Sequence, residues 1–271
     1  MGAGPLHLLK LGLALRLEED GHHVTTRSVE LPPDFRATEI ASTFELGAAL
    51  ARDVAEAVKT GTFPLVLSGN CGPAALGCVG GLQGQTKIFW FDAHGDFNTP
   101  ETTRSGFLDG MALAAVTGRC WSGLARAIPG FRSVVEGNVT AIGTRDLDED
   151  EAAAFLASDV RRVSIRALRS DLLRTLSSQG GVADSPAYVH VDLDVLDPVE
   201  GRMNDFAAPD GLRLDDLKWC LAQIARSQPI RAASVTAFDP ATDGTGRAAT
   251  AAVSAILAVV TAAAASSRSQ T

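Results

Sequence analysis

The feature that most constrains the fold of this chain is a repeated alternation of two kinds of segment. Short runs rich in β-branched and aromatic residues alternate with longer segments rich in alanine and leucine. This alternation is typical of βαβ units and predicts an α/β fold with a parallel sheet. The strand runs are apolar almost throughout, as expected when helices cover both faces of the sheet. The predicted strands are 63–68, 86–91, 138–142, 160–165, 187–193 and 232–238, with a weaker candidate at 24–31.

Polar loops follow four of the predicted strands, at the point where each strand ends. The strands that end at Ser68 and Phe91 run into SGNCG and DAHGDFNTP. The strand that ends near Leu193 carries VDLDVLDP, and the strand that ends at Phe238 runs into DP. In open α/β sheets, ligands bind beyond the carboxyl ends of the strands, which lie at one edge. The sequence therefore predicts a functional site at this edge.

Two of these loops carry carboxylates at alternate positions. Asp92, His94 and Asp96 are spaced two residues apart, as are Asp192 and Asp194, so each set shares one face of an extended chain. Clustered buried carboxylates are costly without a compensating charge, which a divalent cation provides. Several oxygens with one or two imidazoles favour Mn²⁺ or a similar ion, and the set is large enough for one or two ions. The alternative, that these residues cap helices and loops, suits a single Asp-x-Asp better than two such motifs at one edge.

The motifs DAHGD and DLDVLDP resemble those of the ureohydrolase family, which contains arginase, agmatinase and formiminoglutamase. The resemblance runs from the Gly-x-Gly-Pro turn at residues 2–5 to Asp239 and Pro240. It implies a three-layer α/β/α domain with a mostly parallel sheet of about eight strands. It also implies a homo-oligomer, a trimer or a hexamer. The implied activity is hydrolysis of a linear amidine or guanidino C–N bond in a small amino-acid-like substrate, with a binuclear manganese centre.

The resemblance assigns roles to individual residues. The implied metal ligands are Cys71, Asp92, His94, Asp96, Asp192 and Asp194, of which Asp96 is also a candidate catalytic residue. Asn98 and Ser105 correspond to residues that bind a substrate carboxylate, and Asp148 to one that contacts its amino group. A turn or helix-cap role is the alternative for these three residues. His190 shares the strand face of Asp192 but lies deeper, where we expect it to orient the ligands rather than to bind metal.

Three positions depart from the family pattern. Cys71 stands in place of the first histidine ligand, and a soft thiolate favours Zn²⁺, Fe²⁺ or Co²⁺ over Mn²⁺ on that side; a small buried cysteine is the alternative. Asp109 stands in place of a proton-transfer histidine and is predicted either to relay protons as a catalytic residue or to cap the helix that follows it. Ala237 stands in place of the acid that holds the guanidinium. The departures suggest two alternatives to arginase-like activity. One is an Nω-hydroxyarginine amidinohydrolase, a group that the exchange of cysteine for histidine also resembles. The other is a catalytically degenerate metal-binding protein.

The charge of the chain limits its partners. The sequence has 32 Asp and Glu against 24 Lys and Arg, a net charge of −8, whereas nucleic acids and anionic membranes select basic surfaces. We see no apolar run of about 18 residues, the length of a membrane span. Four cysteines without CxxC spacing indicate neither a disulfide framework nor a zinc knuckle. We therefore expect a cytoplasmic enzyme with a small-molecule substrate and no nucleic-acid or membrane partner.

The N-terminal segment MGAGPLHLLKLGLAL lacks the basic region of a signal peptide and predicts an amphipathic helix that Pro5 opens. Residues 1–271 contain no internal repeat and no linker, so we predict a single ureohydrolase-like domain. Family members have a strand before the Gly-x-Gly-Pro turn, whereas this chain starts at the turn. The first family strand is therefore expected to be missing from this sequence, either because the true N-terminus lies upstream or because this branch of the family lacks the strand.

Overall fold

A computed structural model describes residues 1–83, 86–178 and 186–268. Within them, six strands form one sheet in the order β1-β6-β5-β2-β3-β4, and every neighbouring pair is parallel. The strands are β1 (Leu65–Leu67), β2 (Lys87–Phe91), β3 (Val139–Ile142), β4 (Arg161–Val163), β5 (Ala187–Asp192) and β6 (Ile230–Thr236). Each lies within or overlaps a predicted strand, which confirms the predicted parallel α/β fold.

Helices cover both faces of the sheet. They are α1 (Gly4–Lys10), α2 (Leu13–Glu19), α3 (Glu39–Lys59), α4 (Cys71–Leu82), α5 (Ala112–Thr117), α6 (Ser122–Ala125), α7 (Glu149–Leu156), α8 (Leu168–Ser178), α9 (Leu214–Ser227) and α10 (Arg247–Arg268). The predicted N-terminal helix is divided into α1 and α2 at Gly12, whose φ of 84° lies in the left-handed region. Glycine adopts this conformation at little cost, so the chain changes direction there.

Two apolar cores lie on opposite faces of the sheet. On β2, Phe89 and Phe91 join the core formed with α1, α2, α8, α9 and α10, whereas Ile88 and Trp90 join the core formed with α3, α4, α5 and α7. This division follows from the alternation of side chains along a strand. All four side chains are fully buried. Burial of each stabilises the fold by about 1.5–3 kcal/mol.

The sheet of the described residues has six strands rather than the expected eight or so. Residues 24–31, the weaker strand candidate, are outside any strand, and none of their side chains is buried. A segment that buries so little apolar surface gains little from joining the sheet, which explains why its β-branched residues were misleading.

The last helix, α10, packs against α9 and β6. Its stretch Arg247–Ser267 has a mean hydropathy of 2.0 and is long and apolar enough to cross a membrane, contrary to the expectation from the sequence. However, 56% of that window is buried inside the structure. Length and composition are weak evidence here, because the core helix of a soluble protein satisfies the same criteria.

Arg145 fastens the long loop that follows β5. All five N–H groups of its guanidinium donate to backbone carbonyls. The acceptors are the oxygens of Pro209 (2.8 Å from Nε), Gly143 and Val195 (3.1 and 3.3 Å from Nη1), and Asp194 and Ala208 (2.9 and 2.8 Å from Nη2). The planar, forked guanidinium can satisfy several acceptors at once. The loop is therefore held against the carboxyl edge of the sheet, where the predicted site lies.

Candidate metal centre

The loops after β1, β2 and β5, together with β5 itself, bring donor atoms together at the carboxyl edge of the sheet. One group contains a ring nitrogen of His94 and one oxygen each from Asp92 and Asp194. The other contains Sγ of Cys71, an oxygen of Asp92 and a ring nitrogen of His190. Within each group, the atoms lie within 4.8 Å of one another. Asp92 belongs to both groups, so the two candidate metal positions are adjacent.

Asp92 follows the last residue of β2 and is 1% exposed. Its Oδ1 accepts a hydrogen bond from the backbone N–H of His94 at 2.7 Å, which turns the chain back on itself. Its Oδ2 accepts from Nε1 of Trp90 at 3.0 Å. Burial raises the pKa of Asp92 because the charged form is desolvated. The strand end therefore orients a carboxylate whose charge needs compensation.

His94 lies between two of these carboxylates. Its Nδ1 is 3.4 Å from Oδ1 of Asp92 and 3.4 Å from Oδ2 of Asp194. Burial lowers the pKa of His94, but the hydrogen bonds with Asp194 and Asp92 outweigh burial and raise it to about 12. A proton on the imidazole thus balances the carboxylates in the metal-free protein. A metal ion would displace this proton, since ligation requires the neutral imidazole.

Asp192 and Asp194 lie at the end of β5 and in the turn that follows. Oδ1 of Asp192 accepts from the N–H of Asp194 at 2.9 Å, and its Oδ2 accepts from Sγ of Cys71 at 3.2 Å. Burial and then the charge of Asp194 raise the pKa of Asp192 well above its ordinary value. Burial also opposes ionisation of Asp194, but hydrogen bonds, first that with His94, hold its pKa below the ordinary value. One neutral acid beside one charged acid is the result expected when carboxyl groups crowd together.

Asp96 provides the test of whether a cation fits this centre. The residue is 7% exposed, and its Oδ2 is buried with no hydrogen-bond partner. Burial and the nearby charge of Asp92 raise its pKa well above the ordinary value. Its φ of 49° is in the left-handed region, a costly conformation that clusters at functional sites. A divalent ion would satisfy the unpartnered oxygen and lower the mutual repulsion of the carboxylates, so the donor set fits a metal.

Cys71 lies at the first position of α4, and Asp109 holds that end of the helix. Oδ2 of Asp109 accepts from the N–H of Cys71 at 3.0 Å, and its Oδ1 accepts from the N–H of Gly72 at 2.8 Å. Asp109 therefore caps α4 rather than the helix that follows it in sequence. Burial raises the pKa of Asp109 to about 6, although the hydrogen bonds from Gly72 and Cys71 oppose the shift. Burial and then the charge of Asp192 raise the pKa of the Cys71 thiol well above its ordinary value.

The three predicted substrate-binding residues lie in different surroundings. Asn98 is buried, and its Oδ1 accepts from Oγ1 of Thr102 at 2.9 Å. Ser105 and Asp148 are exposed, the latter at the N-terminus of α7 without a side-chain capping bond. Ala237 is 2% exposed, so no charge stands at the position of the family's guanidinium-holding acid. Substrate binding by these three residues remains a prediction.

Sequence reasoning missed three polar residues that support the centre. Asn204 donates from Nδ2 to Oδ2 of Asp194 at 3.1 Å, and Oγ1 of Thr236 lies 3.2 Å from Sγ of Cys71. Oε1 of Glu151 accepts from the N–H of Phe97 at 2.8 Å. Thr236 had a detectable signal, since it is a polar residue at the end of an apolar strand. Asn204 and Glu151 had none, because their partners are distant in the sequence.

Glu151 predicts a pH dependence of stability. Burial raises the pKa of Glu151 from 4.5 to about 7, so the native state retains this proton longer than the unfolded chain. The resulting contribution to stability is complete below the unfolded pKa and is lost as the pH rises through the folded pKa. The variant Glu151→Gln stays neutral, and its amide oxygen can still accept from Phe97. Between roughly pH 5 and pH 8, the free energy of unfolding of the wild type should therefore fall by about 2 kcal/mol relative to that of Glu151→Gln.

Urea unfolding of the metal-free proteins at a series of pH values measures this difference. Glu149→Gln, a change on the exposed face of the same helix, is the matched control. Its difference from the wild type in free energy of unfolding should stay constant with pH. A constant difference between Glu151→Gln and the wild type across this range would contradict the prediction.

Comparisons with known proteins agree with the motifs of the site. A family model described as the arginase family matches residues 9–262. The chain is 31% identical over 214 residues to an arginase of Brevibacillus brevis, a match covering 72% of this chain and 70% of that protein. It is 28% identical over 195 residues to the N(omega)-hydroxy-L-arginine amidinohydrolase of Streptomyces lavendulae, covering 71% of this chain and 66% of that protein. The crystal structure of an arginase from Bacillus cereus superposes with a TM-score of 0.84 at 26% identity, covering 95% of this chain and 91% of that one.

Proposed function

This chain belongs to the arginase family, whose model spans most of its length, and from this premise we propose that it is a metal-dependent hydrolase of a guanidino-type C–N bond in a small amino-acid-like substrate. Family membership confirms the resemblance inferred from DAHGD and DLDVLDP, and relatives in this family are amidinohydrolases, which act on C–N bonds of linear amidines. The observation that carries the proposal is the pair of adjacent donor groups that share Asp92.

The proposed centre holds one or two divalent ions. Asp92, His94 and Asp194 would form the oxygen-rich position. Asp96 and Asp192, which belong to neither donor group, would add further carboxylates. Manganese suits the oxygen-rich position, whereas the Cys71 side favours Zn²⁺, Fe²⁺ or Co²⁺. A divalent ion in such a centre supplies a water nucleophile that is active at neutral pH and polarises the amidine. Cys71 must lose its proton on binding, and the adjacent positive charge would favour that loss.

The protein residues would orient the substrate and handle protons. We propose that Asn98 and Ser105 donate to a substrate carboxylate and that the exposed Asp148 attracts its ammonium group. Asp96, with a buried and unpartnered carboxyl oxygen, is the proposed acceptor for a hydrogen bond from the attacking water. Proton transfer by Asp109 remains part of the proposal, but both of its oxygens already accept backbone N–H groups, which supports capping more directly.

A specific observation favours Nω-hydroxyarginine as the substrate over arginine. Position 237 is a buried alanine, so a substrate guanidinium would lack the carboxylate that offsets its charge. An unpaired buried cation costs about 3–5 kcal/mol. Hydroxylation of a guanidinium lowers its basicity, so the hydroxylated group can enter uncharged without this cost. The amidinohydrolase from Streptomyces lavendulae, named for this substrate, is among the relatives of the chain.

A paired assay tests the proposal. Protein purified without chelator is analysed for metal, loaded with Mn²⁺, and assayed for release of urea from arginine and of hydroxyurea from Nω-hydroxyarginine. Guanidino and formimino compounds extend the assay. We expect bound metal and turnover, with kcat/KM at least about tenfold higher for the hydroxylated substrate.

Matched variants separate the possible outcomes. His94→Asn should abolish turnover, whereas Asp20→Asn on the exposed surface should leave it unchanged. Failure to retain any transition metal after loading would overturn the proposed centre. Bound metal without turnover of any C–N substrate would instead support a degenerate, metal-binding family member.

We propose three further properties of the protein. The chain forms a single domain, because both apolar cores pack on the same sheet. It acts as a homo-oligomer, a trimer or hexamer, in line with the resemblance to the family. It works in the cytoplasm with a small-molecule substrate, and its net charge of −8 supports the absence of nucleic-acid and anionic-membrane partners. The sedimentation coefficient of the purified protein tests the oligomeric state.

A further inference from the structure

We infer that His190, on β5, is a metal ligand in the candidate centre. Cys71 stands in place of the family's first histidine ligand, and His190 would supply the imidazole that is missing there. The inference rests on the proposed function, since it concerns the same centre. It replaces the orienting role that the sequence suggested. The primary observation is that a ring nitrogen of His190 lies within 4.8 Å of both Sγ of Cys71 and an oxygen of Asp92, with all three residues buried.

Hydrogen bonds on one side of the ring determine which nitrogen is available. Nδ1 of His190 is 3.0 Å from the hydroxyl of Tyr188 and 2.8 Å from Oγ of Ser234. The two hydroxyls are themselves 2.6 Å apart. Either hydroxyl can accept a hydrogen bond from a protonated Nδ1, which leaves the lone pair on Nε2. Histidine ligands of metals generally have their second nitrogen fixed by such a bond.

The ring is also oriented by the neighbouring strands. Trp90, which pairs with His190 in the register of β2 with β5, stacks on its ring, with centroids 3.7 Å apart and an angle of 14° between the planes. The same indole donates from Nε1 to Oδ2 of Asp92 at 3.0 Å. On β6, the other strand that pairs with β5, Oγ1 of Thr236 is 3.5 Å from Nε2 of His190 and 3.2 Å from Sγ of Cys71. Nε2 is therefore directed toward the thiol and the carboxylate, and little freedom remains for the ring.

The ligand set implies that the two metal positions differ. The position of Asp92, His94 and Asp194 offers two carboxylates and an imidazole. The position of Cys71, Asp92 and His190 offers one sulfur, one oxygen and one nitrogen. Mixed sulfur and nitrogen ligation suits Zn²⁺ or Co²⁺ better than Mn²⁺. Mn²⁺ should therefore fill the first position and a softer ion the second.

Titration of the metal-free protein with Co²⁺ tests the inference without an activity assay. Co²⁺ bound at the second position should show a near-ultraviolet thiolate-to-cobalt charge-transfer band. The variant His190→Asn should weaken the binding that produces this band by more than about 100-fold, beyond the roughly 10–100-fold loss typical of a residue that only orients a ligand, while binding at the first position stays unchanged. His23→Asn, an exposed histidine, is the matched control. Cys71→Ser should remove the band, and His94→Asn should keep it.

The outcomes separate this inference from the proposed function. Absence of any Co²⁺ binding would overturn both. An unchanged affinity at the band-producing position in His190→Asn, with Cys71→Ser still removing the band, would overturn only the role of His190. X-ray absorption of the Co²⁺-loaded wild type guards against a variant that fails to fold. One sulfur and two imidazoles over the two ions are expected, and a single imidazole would contradict the inference.

Discussion

Replacing Asp92 with asparagine is expected to weaken metal binding at both candidate positions by at least about 100-fold and to lower turnover by about 10³-fold or more. Asp92 is the residue common to the two donor groups, so its loss affects both ions. The amide of asparagine is nearly the same size but carries no charge and offers only one oxygen. Metal analysis of the loaded variant and its steady-state rate on the best substrate measure the two effects.

The same variant also tests whether Asp92 binds metal or only stabilises the fold. Both oxygens of Asp92 accept hydrogen bonds, so the amide loses one of them and should lower the metal-free stability by about 1–3 kcal/mol. Added metal should then raise the melting temperature of the wild type but not of Asp92→Asn. Asp20→Asn makes the same chemical change on the exposed surface and should retain the metal-dependent shift. Wild-type metal content in Asp92→Asn would refute the assignment of Asp92 as the shared ligand.

The variant Arg145→Lys is expected to lower the free energy of unfolding by about 3 kcal/mol, although it keeps the charge. Five carbonyl oxygens accept from the guanidinium of Arg145. A lysine ammonium has only three N–H groups and cannot span these acceptors in one plane. At least two partly buried carbonyls therefore lose their partner. The melting temperature should fall by roughly 6–12 °C.

Thermal unfolding of the metal-free proteins measures the effect. Arg27→Lys is the matched control, because Arg27 makes one exposed ion pair with Asp53 at 3.2 Å. Such a pair contributes about 0–1 kcal/mol, and the conservative change should leave the melting temperature close to that of the wild type. Equal melting temperatures for Arg145→Lys and Arg27→Lys would show that the carbonyl contacts contribute little.

The fold was largely predictable because it depends on patterns that are local in sequence. Six apolar runs became the six strands, since a buried parallel strand is recognisable from continuous hydrophobicity. The strand at residues 24–31 was wrongly predicted, because the β-branched residues there are at most partly buried and gain little by joining the sheet. The amphipathic pattern of the N-terminal segment predicted one helix, but the structure has two, which are divided at Gly12.

The candidate site was predictable to the extent that its residues share a strand or a loop. Asp92, His94 and Asp194 come together as the spacing of the motifs indicated. Contacts between distant segments had no such signal. Asp109 caps a helix that begins 38 residues earlier. Arg145 binds backbone carbonyl groups, which every residue has, so the sequence does not indicate which of them are its partners. These pairings follow from tertiary packing, so they appear only in the structure.

The parallel register that places Trp90 beside His190 has a consequence for the order of folding. These residues are a hundred positions apart, and the donor atoms of the centre come from three segments that are distant in the sequence, near the ends of β1, β2 and β5. Closing such long loops is entropically slow, so the central pairing of β2 with β5 should form late. A partly folded chain would offer only isolated ligands of low affinity. Metal uptake should therefore follow completion of the sheet, and the bound ion should slow unfolding without accelerating folding.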